Sequence, residues 1–309
     1  MNADIVLITG GAGFIGTALA AKLRQIHYKI LLLDLPGKFT MYHRQLAPCI
    51  EADIRDYETL RCIHNQNIKY IFHLAAQTSG VISQEQPELD VDTNIKGTLN
   101  ICRLARELKV HKIIFSSSMA VYGDSKYPLR EIDPLLPKSV YGSSKVSAET
   151  FIKMYKQYGI DYTIFRFFNV YGPGQDMTNM RQGMASIFMT QIILGNTIKV
   201  TGSLNRYRDF VYIDDVIDAL IMSLSGLDTE VYNVGKGQKT TVKDLIHLLI
   251  KIKGIPEDRV NIENIGGHDG DQIGTFSCCE KLRKKGWEPK TILETGLRMM
   301  YIYAKEVLR

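Results

Sequence analysis

The feature that most constrains the fold is the run TGGAGFIG at Thr9–Gly16, which follows a strand-like segment and opens a helical pattern. Gly11, Gly13 and Gly16 satisfy the spacing G-x-G-x-x-G. Glycines permit a tight turn and let the backbone approach a pyrophosphate, which the free N–H groups of a helix N-terminus then bind. The motif therefore predicts a strand–turn–helix unit that binds a dinucleotide. The residues of this predicted cradle are Gly10, Gly13, Phe14, Ile15 and Gly16.

Short β-branched runs alternate with helical patterns through the first half of the chain. Such alternation indicates βαβ units and a parallel, doubly wound α/β sheet, and apolar runs such as KILLLD fit strands buried on both faces. The predicted strands are Ile5–Thr9, Lys29–Asp34, Cys49–Ile54, Tyr70–Ala75, Lys112–Ser118 and Tyr162–Phe168, and the predicted helices include Phe14–Ile26 and Pro87–Leu108.

The pattern changes after residue 168. A loop-rich stretch and a helix follow, Arg208–Val216 is expected to return to the sheet, and Thr229–Gly235 is expected to form another strand. We therefore expect a doubly wound domain of residues 1–168 and 207–235, and a smaller, discontinuous α/β domain of residues 169–206 and 236–309. The cleft between two such domains is the expected ligand site.

An acidic residue at a strand end favours NAD over NADP, and small residues at another strand end leave room for the cofactor. Asp34 ends the second predicted strand, 18 residues beyond Gly16, where an acid binds the adenosine ribose hydroxyls and repels a 2′-phosphate. A glycine turn followed by an unrelated surface Asp is the alternative. Asp53 and Ile54 are expected to flank the adenine, and the segment HLAAQ provides small residues beside the cofactor, although each segment alone also fits an ordinary strand-end turn. The HLAAQ candidates are Leu74, Ala75, Ala76 and Gln77.

Composition argues against several other classes of protein. The net charge is only +5, from 38 basic and 33 acidic residues, and no basic block contains interleaved aromatics, so nucleic acid is not an expected partner. No apolar run approaches the roughly 18 residues of a membrane span, so no membrane partner is expected. The five cysteines are odd in number and lack C-x-x-C spacing, and no His pair has metal-ligand spacing. We therefore expect a cytoplasmic protein without a metal.

The run SVYGSSK places Tyr141 four residues before Lys145, on one face of a predicted helix. An ammonium favours the phenolate, so the phenol pKa is expected to fall from its usual value of about 10. Tyr141 is then a candidate for proton transfer near neutral pH. A Tyr and a Lys on an ordinary solvated helix are the alternative.

Five characteristic segments occur in one order along nearly the whole chain: TGGAGFIG, HLAAQ, SSSMAVYG, VYGSSK and RDFVYIDDV. Together they resemble the NAD-dependent nucleotide-sugar epimerase/dehydratases of the extended short-chain dehydrogenase/reductases, and most of all the pattern of UDP-hexose 4-epimerases. The resemblance implies a Rossmann-like NAD-binding domain, a nucleotide-sugar-binding domain and 4-epimerisation through a transient 4-keto sugar. It also implies a homodimer, paired through the helices Pro87–Leu108 and Ser144–Tyr158, and a nucleotide-diphosphate sugar as substrate.

The resemblance also implies roles for individual residues. Tyr141 matches the catalytic tyrosine, Lys145 the lysine that holds the nicotinamide ribose, and Ser118 the hydroxyl that orients the reacting sugar. The residues implied near the cofactor are Asn94, Ser116, Phe167 and Phe168, and those implied to bind the substrate are Ser79, Ser118, Asn169, Arg208, Asp271 and Thr275.

The subclass depends on a few positions. Dehydratases of the family place an acid pair after the catalytic Ser or Thr, whereas Met119 and Ala120 follow Ser118 and cannot transfer protons. His268 replaces an arginine that often binds a phosphate in this family. Either Arg208, with Arg206 or Arg181, compensates for it, or the substrate is not a standard UDP-hexose. A small residue at the implied sugar gate, Thr275, suggests that N-acetylhexosamines are accepted. An NAD(P)H-dependent reductase of a 4-keto nucleotide sugar, an oxidative decarboxylase and a non-catalytic NAD-binding module remain alternatives.

Overall fold

The computed structural model describes residues 4–266 and 273–309. The strands are β1 Ile5–Thr9, β2 Lys29–Asp34, β3 Cys49–Glu51, β4 Ile68–His73, β5 Lys112–Ser118, β6 Asp161–Phe167, β7 Asn169–Tyr171, β8 Thr197–Val200, β9 Tyr207–Arg208, β10 Phe210–Tyr212, β11 Glu230–Val234, β12 Thr240–Thr241 and β13 Asn261–Asn264. The helices are α1 Phe14–Gln25, α2 Met41–Leu46, α3 Tyr57–Leu60, α4 Gly80–Glu85, α5 Pro87–Asp90, α6 Gly97–Glu107, α7 Val140–Met154, α8 Met184–Leu194, α9 Ile213–Met222, α10 Val242–Lys253, α11 Glu280–Arg283 and α12 Leu293–Val307.

Seven parallel strands form the main sheet, in the order β11-β6-β5-β4-β1-β2-β3. The chain reverses its direction of winding between β1 and β4, and open α/β sheets bind ligands at the carboxyl ends of the strands beside such a point. The predicted doubly wound, Rossmann-like sheet is therefore confirmed. A smaller α/β region, with the strand pairs β8–β13 and β9–β12, is formed by segments that precede and follow β11 in the chain.

Two predicted strands extend too far along the chain. The third ends at Glu51, because the Asp53 carboxylate then accepts the backbone N–H of Arg55 at 2.9 Å and turns the chain. The fourth ends at His73, because the N–H of Ala75 bonds to the Thr9 hydroxyl rather than to a strand carbonyl.

The expectation that Arg208–Val216 returns to the main sheet is wrong. β10 pairs in parallel with β7, and β9 pairs antiparallel with β12, so neither strand joins the seven-stranded sheet. From Ile213 the chain is helical, since its apolar residues recur at helical spacing and Asp214 and Asp215 occupy the first turn, where acids suit the helix dipole. The chain returns to the sheet only at β11.

Alternate residues of the central strands bury opposite faces of the sheet. Val6 and Ile8 belong to one apolar cluster, which includes residues of α1, α8, α9, α10 and α12. Leu7 belongs to the other cluster, which includes residues of α3, α6 and α7. Strands buried on both faces explain the near-continuous apolar runs in the sequence. Among the described residues, no helix has both the length and the apolarity that crossing a bilayer requires.

The predicted helix Pro87–Leu108 is present, with an interruption. A π-helical segment, Val91–Lys96, connects α5 to α6. π-Helical turns insert an extra residue per turn and often occur at functional sites. This segment places the side chain of Asn94 in the interior, 1% exposed, at the carboxyl edge of the sheet.

A buried ion pair joins α7 to β6. Both carboxylate oxygens of Glu149 accept hydrogen bonds from Arg166, at 2.8 and 2.7 Å, and Ser117 donates a third at 2.6 Å. Burial alone would raise the pKa of the Glu149 carboxyl, but Arg166, Ser117 and Lys153 hold that pKa below its ordinary value. Because the folded-state pKa is depressed, this stabilisation is present at neutral pH and is lost as pH falls through that pKa.

Arg166→Met is expected to lower the free energy of unfolding by about 3–5 kcal/mol, because it removes the buried cation and leaves the Glu149 carboxylate with only the partly exposed Lys153 as an ion-pair partner. The matched control is Lys153→Met, which removes the other cation on the same carboxylate, one whose side chain is 36% exposed. The control should cost less than about 1 kcal/mol. Urea denaturation at pH 7 measures both variants, and equal losses would contradict a special role for the buried pair.

Candidate active site

The predicted cradle forms a tight turn between β1 and α1. Gly10 has φ +69°, and a Cβ there would lie 2.7 Å from the backbone nitrogen of Ala75. A Cβ on Gly16 would overlap the carbonyl oxygen of Gly10. The first turn of α1, which begins at Phe14 and includes Ile15, contains no acidic residue, and Gly13 caps it without a side chain. Its N–H groups are thus left for an anion.

Asp34 fixes the position of this turn at the end of β2. Its Oδ2 accepts the backbone N–H of Ala12 at 2.9 Å, and its Oδ1 accepts that of Leu35 at 2.8 Å. Each carboxylate oxygen can accept a further bond. The carboxylate therefore lies beside the glycine turn, as its predicted role with an adenosine ribose requires.

Asp53 and Ile54 lie beyond the end of β3. Arg55 binds the Asp53 carboxylate through Nε and Nη2, at 2.9 and 2.6 Å to Oδ2, and this contact lowers the pKa of Asp53. Ile54 is buried, and its carbonyl accepts a hydrogen bond from Asn100 at 2.8 Å. The sequence analysis missed Arg55, whose guanidinium reduces the free negative charge of the predicted adenine subsite.

The segment after β4 approaches the glycine turn and then binds the π-helical segment. The N–H of Leu74 donates to the Thr9 carbonyl at 3.2 Å. The side chain of Asn94 accepts from the Gln77 N–H at 2.9 Å and donates to the Gln77 carbonyl at 3.0 Å. A side-chain amide that pairs with a backbone amide in this way fixes the loop rigidly. Ala75 and Ala76 lie within this fixed segment.

The structure brings Ser118, Tyr141 and Lys145 together at the carboxyl end of β5. The Ser118 side chain lies close enough to the Tyr141 hydroxyl to lower its pKa, and the Lys145 nitrogen lies 5.9 Å from the centre of the Tyr141 ring. Lys145 is 2% exposed and donates to the carbonyl of Ser116 at 2.9 Å. The helix that carries Tyr141 and Lys145 begins with Ser139, whose hydroxyl accepts the N–H of Gly142 at 3.0 Å.

The expected fall in the Tyr141 pKa does not occur in the protein alone. Burial raises the pKa of Tyr141 to about 12, Ser118 opposes this rise, and Asp90 adds to it. Burial also lowers the pKa of Lys145 to about 7, which Asp90 and Glu149 oppose. The prediction failed because spacing places two side chains on one face but does not reveal their desolvation.

Two predicted substrate residues, Thr275 and Asn169, contact the Met119 sulfur atom, and a third, Arg208, lies close to Asn169 in the structure. The Met119 sulfur accepts from the Thr275 hydroxyl at 2.8 Å and from the Asn169 amide at 3.6 Å. Asn169 also bonds through its N–H to the carbonyl of Asp209, the residue after Arg208. Arg208 donates to the Tyr207 carbonyl at 2.8 Å and has further interactions. Met119, adjacent to Ser118, thus links the reactive group to the predicted gate.

The remaining predicted residues are placed as follows. The Ser79 hydroxyl caps α4 and donates to the Arg181 carbonyl at 3.0 Å, so it ties two loops together. Phe168 is buried in a small apolar cluster with Val121 and Tyr122, whereas Phe167 belongs to the large apolar cluster that contains Val6 and Ile8. Asp271 and His268 lie outside the described residues.

Sequence reasoning missed a buried set of polar side chains behind Tyr141. Asp90 lies at the end of α5 and binds Asn94, and the hydroxyl of Ser83 accepts the backbone N–H of Tyr141 at 2.9 Å. The hydroxyl of Ser144 accepts from Asn94 at 3.0 Å. The one sequence pattern that could have indicated this set is the spacing of Asp90 and Asn94, four residues apart in a predicted helix. Within residues 4–266 and 273–309 no group of three metal-ligating side chains converges.

Comparisons with known proteins agree over most of the chain. A model of the NAD dependent epimerase/dehydratase family matches residues 6–235. The UDP-glucose 4-epimerase of Mycolicibacterium smegmatis is 31% identical over 302 residues, which cover 94% of this chain and 95% of that protein. The dTDP-4-dehydro-6-deoxyglucose reductase of Escherichia coli is 30% identical over 308 residues, which cover 94% of this chain and 95% of that protein.

Two solved structures show the same fold. The UDP-glucose 4-epimerase of Thermotoga maritima, solved with UDP-glucose, is 34% identical with a TM-score of 0.92, and the match covers 99% of this chain and 100% of that one. The UDP-glucose 4-epimerase of Thermus thermophilus, solved as a complex with NAD, is 29% identical with a TM-score of 0.91, and the match covers 97% and 99%. The similarity therefore extends across the glycine turn, the Tyr141 helix and the smaller α/β region.

Two glycines of the turn should differ sharply in their tolerance of a methyl group. Gly10→Ala places a side chain at φ +69° and against the Ala75 backbone, so it should cost more than about 2 kcal/mol of stability. Gly13→Ala, at φ −77°, meets only the Gly10 carbonyl oxygen at 3.2 Å and should cost about 1 kcal/mol or less. Urea denaturation of both variants tests this expectation, which equal stabilities would disprove.

Proposed function

Because this chain belongs to the NAD-dependent epimerase/dehydratase family, we propose that it epimerises a UDP-sugar at C4 through a transient 4-keto sugar. The observation that carries the proposal is the group formed by Ser118, Tyr141 and Lys145 at the same sheet edge as the glycine turn. A hydroxyl, a phenol and an ammonium in that arrangement suit reversible proton transfer to and from a sugar hydroxyl.

NAD is the cofactor of the family, and the residues present fit it. Gly10 and Gly16 let the turn pack tightly, because a Cβ on either residue would meet backbone atoms, and the first helical turn, which has no acids, leaves its N–H groups for a pyrophosphate. Asp34, at the end of β2, suits an unphosphorylated adenosine ribose. When bound, NAD supplies a reversible hydride acceptor for the C4 carbon of the sugar.

The chain's own residues manage the proton. Tyr141 is the base that takes the proton of the sugar 4-hydroxyl and the acid that returns it. Because burial raises the pKa of this phenol to about 12, it needs stabilisation of its phenolate, which the Ser118 hydrogen bond and a protonated Lys145 provide. Once Tyr141 has taken the proton, the single hydrogen of the Ser118 hydroxyl turns to the sugar oxygen as carbonyl character develops at C4. Epimerisation requires the keto sugar to present its opposite face before the proton returns.

The side chains after Ser118 argue against a dehydratase. The thioether of Met119 and the methyl group of Ala120 cannot move a proton from C5 or to a hydroxyl at C6. The Met119 sulfur instead contacts Thr275 and Asn169. The two residues that follow Ser118 therefore provide no acid pair.

We propose UDP-glucose and UDP-galactose, or their N-acetyl forms, as the substrates. Thr275 is small and fully buried, so it leaves more room at the predicted gate than an aromatic side chain would. Asn169 and Arg208 are proposed to hold the diphosphate, and Asp271 the nucleoside ribose. A reductase of a 4-keto nucleotide sugar is the second candidate, which the similarity to the Escherichia coli reductase favours.

We also propose that the two parts of the chain bind different ligands. Residues 1–168 and 207–235 would bind NAD, and residues 169–206 and 236–309 would bind the nucleotide sugar. The return of the chain through α9 and β11 to the main sheet supports this division.

Helices α6 and α7 lie side by side on one face of the sheet, and we propose that they pair with a second copy of the chain to form a homodimer.

NMR of the purified protein with UDP-glucose and, separately, with UDP-GlcNAc, without added NAD, tests the function. We expect the 4-epimer to form in at least one tube, because an epimerase regenerates its cofactor each turn and can keep it bound. A reductase must exchange its cofactor and would give no epimer. Absence of both epimers, even after NAD is added, would refute 4-epimerisation of these sugars.

Tyr141→Phe should reduce turnover at least about 100-fold, because it removes the group that exchanges the proton. Its matched control is Tyr158→Phe, which removes a hydroxyl from a tyrosine that is 48% exposed and packs against Arg106. The control should retain full turnover, and both variants should unfold at the wild-type urea concentration to within experimental error. Full turnover by Tyr141→Phe would disprove the catalytic assignment.

A further inference from the structure

Asp90 is a fully buried carboxylic acid directly behind the proposed proton-transfer group. Its side chain is 0% exposed, and its Oδ1 accepts hydrogen bonds from Asn94 at 2.8 Å and Gln77 at 3.2 Å. Its Oδ2 has no hydrogen-bond partner among the residues that the structure describes. An isolated buried carboxylate oxygen costs free energy, so its retention needs a reason.

The charged groups around Asp90 make its effect on Lys145 specific. α7 presents Tyr141, Lys145 and Glu149, and of the two acids near Lys145, Asp90 raises its pKa more than Glu149 does. Glu149 is neutralised by a buried ion pair with Arg166 at 2.7 Å. Within the described chain, Asp90 forms no salt bridge within 4.0 Å.

The other elements packed near Asp90 add little charge. α4 contributes the hydroxyl of Ser83, and its Glu85 is paired with Arg181 on the surface. From β4, His73 is held neutral, since burial and then Lys145 lower its pKa to about 3. In the π-helical segment, Asp92 is exposed and acts on Arg55 instead.

We propose that Asp90 is a positioning residue whose carboxylate is the counter-charge that keeps Lys145 protonated and so sets the pH range of the reaction. The inference deepens the proposed function and rests on it. Two geometric observations support it. Asp90 is 0% and Lys145 2% exposed, so water screens their charges little. The same carboxylate orients the Asn94 amide, which fixes Gln77 and reaches Ser144 on the helix that carries Lys145.

The orphan oxygen allows a clean test. In Asp90→Asn the amide oxygen can retain the bonds from Asn94 and Gln77, and the new NH2 group takes the place of Oδ2, near the Ser83 hydroxyl that lowers the pKa of Asp90. The variant therefore removes the charge while keeping both side-chain hydrogen bonds to Oδ1. Asp92→Asn is the matched control, because it removes the same charge from the neighbouring exposed position.

The direction of the effect follows from the charges. Asp90 raises the pKa of both Lys145 and Tyr141, so its neutralisation lowers both. The active form needs Tyr141 deprotonated and Lys145 protonated. The acidic limb and the alkaline limb of the profile of kcat/KM against pH should therefore both move to lower pH in Asp90→Asn, by at least about half a unit, and neither should move in Asp92→Asn.

A direct titration separates this inference from the proposed function. Two-dimensional NMR of protein labelled with 13C at lysine Cε, with the Lys145 signal identified by its loss in Lys145→Met, follows the pKa of Lys145 without any sugar. We expect that pKa to fall in Asp90→Asn and to stay unchanged in Asp92→Asn.

An unchanged Lys145 pKa in Asp90→Asn would overturn the inference, even if turnover fell. A purely structural role of Asp90 predicts a loss of turnover without a shift in the Lys145 pKa. A pH profile that stays in place would overturn it as well. If the wild-type protein turns over no sugar, the proposed epimerase fails, and the titration still decides whether Asp90 holds the charge of Lys145.

Discussion

The constraint on which the rest of the structure depends is the burial of a parallel sheet on both faces. Helices must cover each face, so every crossover is long and every strand points its carboxyl end to the same edge. That edge therefore collects the ends of β1, β2, β4 and β5. This edge therefore brings together the glycine turn, Asp34, the Gln77 segment and Ser118, because each of them lies at or just after the carboxyl end of a strand.

The same burial that builds the core sets the chemistry of the site. Lys145 and Asp90 are both buried, and desolvation opposes the charged form of each. Lys145 is the charged group that lowers the pKa of Asp90, and Asp90 is the acid that raises the pKa of Lys145 most. A lysine with its pKa near 7 responds strongly to a single charge, whereas a solvated lysine near 10 would hardly respond at neutral pH.

Much of this was predictable from sequence, since it depends on local pattern. The strands of the main sheet follow from apolar runs, the turn from Gly10, Gly13 and Gly16, and the meeting of Tyr141 with Lys145 from helical spacing. What failed depends on tertiary packing. Nothing local to Phe210–Tyr212 says that it pairs with β7 rather than with the main sheet, and no spacing rule contains the desolvation that raises the pKa of Tyr141.

The substrate end was the least predictable part for a related reason. The cofactor end uses backbone and glycines within a few consecutive segments, so its requirements are written as motifs. The side chains that we propose for the sugar pocket come from three distant segments, and Asn169 and Thr275 both contact the Met119 sulfur atom. A thioether is flexible and polarisable, so it can fit differently shaped neighbours without a fixed hydrogen-bond pattern. In such a fold the glycine turn and the proton-transfer group can stay the same while the accepted sugar differs. The residues that determine the sugar are far apart in sequence, so no single motif contains them.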